Sequence, residues 1–189
     1  MNLILASKSP RRIELLQRLG YDFTITPSNF DESAVDLSKN PTQGVEFLAR
    51  GKAQAIFDSL ESTADTVVLG ADTIVVCDGK VMLKPKDESD AKDMLRKLSS
   101  RVHTVYTAVA FVSDSGTESF VEATDVYFFE LSDEEINSYV ATGEPMDKAG
   151  AYGVQGLGCT LVQKIDGDYY NVVGLPIARV ARHLKKKGF

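Results

Sequence analysis

Apolar residues recur along this chain at two spacings, and the switches between them predict its elements. Residues 3–6 form an unbroken apolar run, the mark of a buried strand. It stops at Ser7-Lys8-Ser9-Pro10. Ser9 suits a helix N-cap, and Pro10 suits the first helical position, where its missing N–H costs nothing. Ile13, Leu15, Leu16 and Leu19 then share one helical face, and Gly20 ends the helix. Residues 23–26 read as a second strand closed by Pro27, and the polar stretch 28–40 as a loop carrying Asp31 and Glu32. A longer helix follows over 42–60, with Val45, Leu48, Ala49, Ala53, Ile56 and Leu60 turned inward.

The next segment alternates differently. Residues 66–69 are apolar, Gly70-Ala71-Asp72-Thr73 interrupts them, and strand character resumes over 74–77. Asp78-Gly79 is a dipeptide that type I′ hairpin turns prefer, and Lys84-Pro85 closes the returning strand. A helix over 87–99 turns Ala91, Met94, Leu95 and Leu98 inward. Residues 102–112 and 119–131 form a long antiparallel ribbon around Asp114-Ser115-Gly116. Ser132 with Glu135 makes a capping box for a helix over 134–141, stopped by Gly143. Residues 144–158, "EPMDKAGAYGVQGLG", are glycine-rich and follow neither period. Residues 159–165 and 169–173 predict a hairpin across Asp166-Gly167, and 176–187 an amphipathic helix with a lysine-rich last turn. Strands and helices mix without strict βαβ alternation, so the fold class is α/β with a mixed sheet, in a single domain over residues 1–189.

Composition narrows the function more than the fold. With 189 residues, 43% of them hydrophobic, the chain can bury a core without staples. A net charge of −6 argues against a nucleic-acid partner, which needs a broad basic footprint, but permits a local basic pocket. The lysines of the C-terminal "HLKKKG" read as a complement to the helix dipole. Residues 3–6 are too short for a signal-peptide core, and no run approaches the ~20 apolar residues of a membrane span. A soluble, cytoplasmic protein with no membrane partner is expected. Cys77 and Cys159 have no metal-type spacing and read as buried thiols. His103 and His183, the only histidines, read as structural or solvated, which leaves acid–base work to carboxylates or lysines.

Four groups could carry chemistry. Ser9-Pro10-Arg11-Arg12 places two guanidinium forks at a helix start, where an anionic ligand would complete the charge balance; two solvated surface arginines are the plainer reading. Asp72, between two apolar stretches, is either a metal ligand or general base, or a turn cap. Lys52, Lys84 and Lys148 would add positive charge for a polyphosphate, although each alone is an ordinary solvated lysine. No GxxxxGK[ST] or GxGxxG motif is present. In the glycine-rich segment, Gly150, Gly153, Gly156 and Gly158 allow close backbone approach, and the Gln155 amide could read the edge of a base.

In order, "LILASKSPRR", "VLGADTIVV", "LKPKD", "LRKLSSRVHTVYTAV", "EPMDKAGAYGVQGLG" and "KIDGDYYNVVGLP" resemble the Maf family of nucleotide pyrophosphatases across nearly the whole chain. The resemblance implies a twisted, elongated mixed sheet flanked by helices, with two lobes and a central cleft, as in inosine triphosphatases. It implies hydrolysis of a nucleoside triphosphate to the monophosphate and pyrophosphate with a divalent cation (Mg, Mn or Co). Asp72 would be the general base and a metal ligand, and Glu32 the second metal carboxylate. Ser9, Arg12, Lys52 and Lys84 would contact the phosphates, joined by Lys148. Arg11, Thr73 and Gln155 would set base choice, and "GADT" and "YGVQG" are similar to the subgroup that prefers dTTP and UTP, with CTP and modified pyrimidines as further candidates. Two positions depart from the usual pattern: Asp31 precedes Glu32 where Glu is common, and Gly51 precedes Lys52 where a larger polar residue is common. The runner-up is a nucleotide-sensing regulator of septum formation with little turnover. The long apolar strands of 102–131 would suit pairing in a homodimer.

Overall fold

The computed structural model describes the backbone of residues 1–189 and every side chain except that of Ala34. The chain divides into two compact units. The first comprises Met1–Asp72, Thr107–Glu122 and Gly174–Phe189. The second comprises Thr73–Tyr106 and Ala123–Val173.

In the first unit, β1 (Asn2–Leu5) runs parallel to β2 (Thr24–Ile25) on one side and β3 (Thr66–Cys77) on the other, with Leu5 opposite both Ile25 and Leu69. Leu3 and Leu5 alternate into the core, as the period of a strand requires. Helix α1 (Pro10–Gln17) starts at Ser9 with Pro10 in its first turn, buries Leu15 and Leu16, and is followed by Gly20 at φ +75°. Helix α2 (Pro41–Phe57) is capped by Asn40, whose side chain accepts from the Gln43 N–H. It buries Val45, Leu48, Ala49, Ala53 and Ile56. The small residues matter: a Cβ on Gly70 of β3 would lie 2.8 Å from the Ala53 nitrogen and press on the Ala49 carbonyl oxygen. Glycine at 70 and alanine at 49 and 53 are what let the helix settle directly on the strand.

In the second unit, Asp78 (φ +49°) and Gly79 (φ +73°) both take the left-handed conformation of a type I′ turn, and β4 (Lys80–Met82) returns antiparallel to β3. Helix α3 (Glu88–Leu98) is capped by Asp87 and packs on α4 (Asp133–Val140), which carries the capping box of Ser132 and Glu135. The remaining elements are β5 (Val102–Ser113), β6 (Gly116–Phe128), β7 (Val162–Asp166), α5 (Tyr169–Val173) and α6 (Ile177–Lys186). The sheet has seven strands in the order β2-β1-β3-β5-β6-β7, with β4 also on β3, and it mixes parallel and antiparallel pairs. Among the described residues no helix is long and apolar enough to cross a membrane.

Several expectations need correction. Residues 70–73 do not interrupt a strand; β3 runs unbroken from Thr66 to Cys77, because a strand accepts polar side chains wherever its face meets a polar partner. Residues 169–173 are helical and form no hairpin with β7, which pairs with β6 instead. The Asp168 carboxylate accepts from the Tyr170 N–H, and Asn171 is fully buried with its amide donating to the Val105 carbonyl and to Thr124 Oγ1. Those polar bonds fix a helical turn that the β-rich composition "YYNVV" disguises. Cys159 is exposed, unlike Cys77. The strands at 24–25 and 80–82 are shorter than their apolar runs, so Lys84 lies beyond β4.

Candidate active site

The candidate chemistry of the first unit begins with β3. Gly70 and Asp72 are two residues apart and share one face of the strand, the face on which α2 rests. Lys52 lies between Ala49 and Ala53, the two residues that abut Gly70. Its ammonium therefore reaches Asp72 Oδ1 at 2.6 Å. Both side chains are only 14% exposed, so this pair is largely withdrawn from solvent. The same ammonium lies 2.9 Å from Glu32 Oε1, whose side chain is 58% exposed. One cation thus bridges two carboxylates from segments 40 residues apart.

Glu32 opens a 3-10 turn (Glu32–Ala34) capped by Asp31, whose Oδ1 accepts from the Ser33 N–H at 2.9 Å and the Ser33 hydroxyl at 2.7 Å. These bonds hold the Asp31 carboxyl below its usual range. Asp31 is the residue that shapes the turn, and Glu32 the one that points to Lys52. Phe30, just upstream, presses its ring on α2 at Gly51, where a Cβ would come within 2.5 Å of Phe30 Cε2. Gly51 therefore has a local cause: it seats the aromatic ring that carries the Glu32 turn to the helix.

Arg12 is the fourth member. Its Nε donates to the Gly174 carbonyl at 2.9 Å, and its Nη1 to the Ala71 carbonyl at 2.8 Å. A longer contact of 3.4 Å joins Nη1 to the buried Ser7 hydroxyl, which also accepts from the Ser9 N–H. Burial pushes the guanidinium below its ordinary value, the charge of Asp72 pulls it back up, neighbouring Arg11 depresses it, and Glu32 raises it. Arg12 thus lies beside the strand position of Asp72, bonded to the carbonyl of the residue before it. Ser9 holds the N-cap position of α1, but its side chain makes no capping bond. Arg11 is half-buried beside it.

The other expected residues belong to the second unit. Thr73 follows Asp72 in β3 and is half-buried. Lys84 is exposed two residues beyond β4, next to Leu83, whose carbonyl accepts from the Gly150 N–H at 3.1 Å. That bond ties the Lys84 segment to the glycine-rich segment. The Lys148 ammonium donates to the Glu144 carbonyl at 2.6 Å and Asp147 Oδ1 at 2.7 Å. Gln155 is exposed. His103 is buried at 2% exposure, its Nε2 lies 2.7 Å from the Tyr152 hydroxyl, and it packs edge-on against Phe128 and Tyr152. It is structural, and so is His183, stacked 3.9 Å from Phe111 in the first unit.

Sequence reasoning missed the Ala71 and Gly174 carbonyls that orient Arg12, because backbone acceptors leave no trace in residue identity, and it missed the Ser7 hydroxyl beside them. It also missed Phe30, Tyr139 and Glu144. Among the described residues no group of three or more His, Cys, Asp or Glu forms a metal cluster.

The model of the family described as "Maf-like protein" matches residues 2–187. The chain belongs to the Maf family. Two similar proteins are both named "dTTP/UTP pyrophosphatase". One, from Geobacillus sp. (strain WCH70), is 49% identical over 187 residues, covering 99% of this chain and 98% of the relative. The other, from Bacillus cytotoxicus, is 50% identical over 183 residues, covering 97% and 94%. Among solved structures, the Staphylococcus aureus Ham1 protein superposes with a TM-score of 0.56 at 13% identity, covering 99% of this chain and 100% of its own. That likeness shows the fold.

Proposed function

We propose that this Maf protein is a nucleoside triphosphate pyrophosphatase that converts dTTP and UTP to the monophosphate and pyrophosphate. The observation that carries the reading is that Lys52 bridges Asp72 and Glu32 while Arg12 is bonded to the carbonyl of Ala71, the residue before Asp72. The substrate rests on the name shared by relatives at about half identity over nearly their whole length.

Cleavage between the α and β phosphorus atoms needs little covalent help from a protein; positioning and charge neutralisation carry most of the rate. Asp72 accepts a proton from a water as the water oxygen bonds to the α-phosphorus. The bond from that phosphorus to the α,β-bridging oxygen breaks, and its electrons leave with pyrophosphate. Lys52, now paired with Asp72, keeps the carboxylate aimed and offers its charge to the phosphate chain. Arg11, Arg12 and Ser9 add donors at the start of α1, where N–H groups and the helix dipole favour an anion. By the family resemblance Lys84 and Lys148 are further phosphate contacts, and Thr73 and Gln155 join Arg11 in base choice.

The donor set suits a hard divalent cation. Glu32 and Asp72 already place carboxylate oxygens around one positive centre, and such ions are often held by one or two carboxylates completed by substrate phosphates. A Mg, Mn or Co ion there would supply acidification of the attacking water and neutralisation of the departing charge.

The test is pyrophosphate release from a panel of UTP, dTTP, CTP, modified pyrimidine and purine triphosphates, with Mg²⁺ or Mn²⁺ added or withheld. Rapid cation-dependent release that is fastest from UTP and dTTP supports the reading. Tight nucleotide binding with negligible release overturns it in favour of a sensor.

A further inference from the structure

The glycine-rich segment 144–158 is organised around one carboxylate that the proposed reaction does not use. Glu144 Oε2 accepts from the Leu157 N–H at 2.8 Å, and Oε1 accepts from the Gly158 N–H at 3.1 Å and the Tyr139 hydroxyl at 2.9 Å. The Tyr139 oxygen in turn accepts from the Gly153 N–H at 3.1 Å. The glycines permit this rather than ligand approach. A Cβ on Gly156 would fall within 2.8 Å of the Glu144 carboxylate, one on Gly158 within 2.6 Å of the Tyr139 hydroxyl, and one on Gly153 within 2.6 Å of the Lys148 stem. None of these three glycines has a positive φ, so close packing is what selects them.

Gln155 sits in the middle of the pinned stretch. The backbone is bonded two residues before it, at Gly153, and two and three residues after it, at Leu157 and Gly158. Its own side chain is left exposed. An amide on a free loop can meet the edge of any base by flipping or sliding, because it offers both a donor and an acceptor. Discrimination requires the backbone that carries it to hold still, since a base-reading group displaced by a fraction of an ångström no longer penalises the wrong base. We infer that Glu144, buttressed by Tyr139, is a positioning residue for base selection: it fixes the turn 153–158 and so the site from which Gln155 reads the nucleobase. This rests on the pyrophosphatase reading above.

The two carboxylate oxygens are both acceptors here, and Glu144→Gln replaces one with an amide that cannot accept the N–H bonded to it. The experiment measures kcat and KM for pyrophosphate release from UTP, CTP, ATP and GTP by the wild-type chain, Glu144→Gln, Tyr139→Phe, Gln155→Ala and the double variant Glu144→Gln/Gln155→Ala. Inhibition by inorganic tripolyphosphate, which has no base, is measured alongside. Glu144→Gln and Tyr139→Phe are expected to raise KM for UTP and lower the preference for UTP over the other bases by about tenfold, with kcat and tripolyphosphate inhibition within about twofold of wild type. In the Gln155→Ala background Glu144→Gln is expected to change the base preference no further, because it acts through that side chain. Three outcomes overturn the inference: an unchanged base preference in Glu144→Gln with Tyr139→Phe also unchanged, an equal loss for every base and for tripolyphosphate, or a further loss of preference in the double variant. A wild-type chain that releases no pyrophosphate from any of these nucleotides overturns the pyrophosphatase reading and this inference together.

Discussion

Replacing Gly70 by alanine tests whether the contact between β3 and α2 sets the distance from Lys52 to Asp72. The added methyl would lie 2.8 Å from the Ala53 nitrogen and 2.9 Å from the Ala53 Cβ, and closer still to the Ala49 carbonyl oxygen. Two of these three neighbours are backbone atoms of a helix and cannot rotate aside. Restoring ordinary van der Waals separation requires α2 to withdraw by roughly 0.5–1 Å. Overpacking of this kind costs about 1–3 kcal/mol. For a chain of 189 residues this lowers Tm by about 3–10 °C. The functional consequence is separate. Lys52 lies on the withdrawn turn, its 2.6 Å bond to Asp72 lengthens, and a misplacement near 1 Å reduces turnover by about 10²-fold. The assay is thermal unfolding followed by circular dichroism, with pyrophosphate release from UTP measured below both unfolding midpoints so found. A Gly70→Ala variant with wild-type Tm and wild-type kcat would refute the claim that this close approach seats the lysine over the carboxylate.

Two further outcomes follow from the same geometry and from the second unit. Lys52→Met leaves Asp72 largely withdrawn from solvent without its cation; denaturant unfolding should show a loss of about 2 kcal/mol that shrinks when Asp72→Asn is added, so that the two changes are not additive. His103 supplies a pH dependence. Burial drives its folded value from 6.5 down to about 4, with the charge of Asp125 opposing it. The lowered value means the unfolded chain binds the proton first, so stability is full above pH 6.5 and is lost as pH falls from there toward 4, by about 3 kcal/mol. Burial lowers His183 as well, so the quantity to measure is the difference in unfolding free energy between wild type and His103→Asn from pH 7 to 4.5, which should narrow as the pH drops.

Much of this arrangement was legible in the residues, and the reasons are local. Ser9-Pro10 marks the start of α1, Asp78-Gly79 the type I′ turn, and Ser132 with Glu135 the capping box, because each is chemistry within four residues of its own backbone. Asp72 stood out because a carboxylate between apolar stretches calls for a partner; the partner, Lys52, looked like any helical lysine until α2 was laid on β3. Continuity of β3 was hidden because Gly70, Asp72 and Thr73 break an apolar pattern without breaking the ladder. Helix α5 was hidden because Asp168 and Asn171 determine it through bonds to Thr124 and Val105, more than 40 residues away in sequence. The glycines at 153, 156 and 158 suggested room for a ligand, whereas a lysine, a glutamate and a tyrosine of this same chain fill that room.

The central claim is that the side chain at position 72 takes the proton from the attacking water. Asp72→Asn keeps the size and the contact to Lys52 but removes the base. Pyrophosphate release from UTP should fall by about 10²–10⁴-fold while the dissociation constant for UTP, measured by calorimetry on the same preparation, stays within about tenfold. Turnover within about threefold of wild type would contradict the account and remove Asp72 from the chemistry.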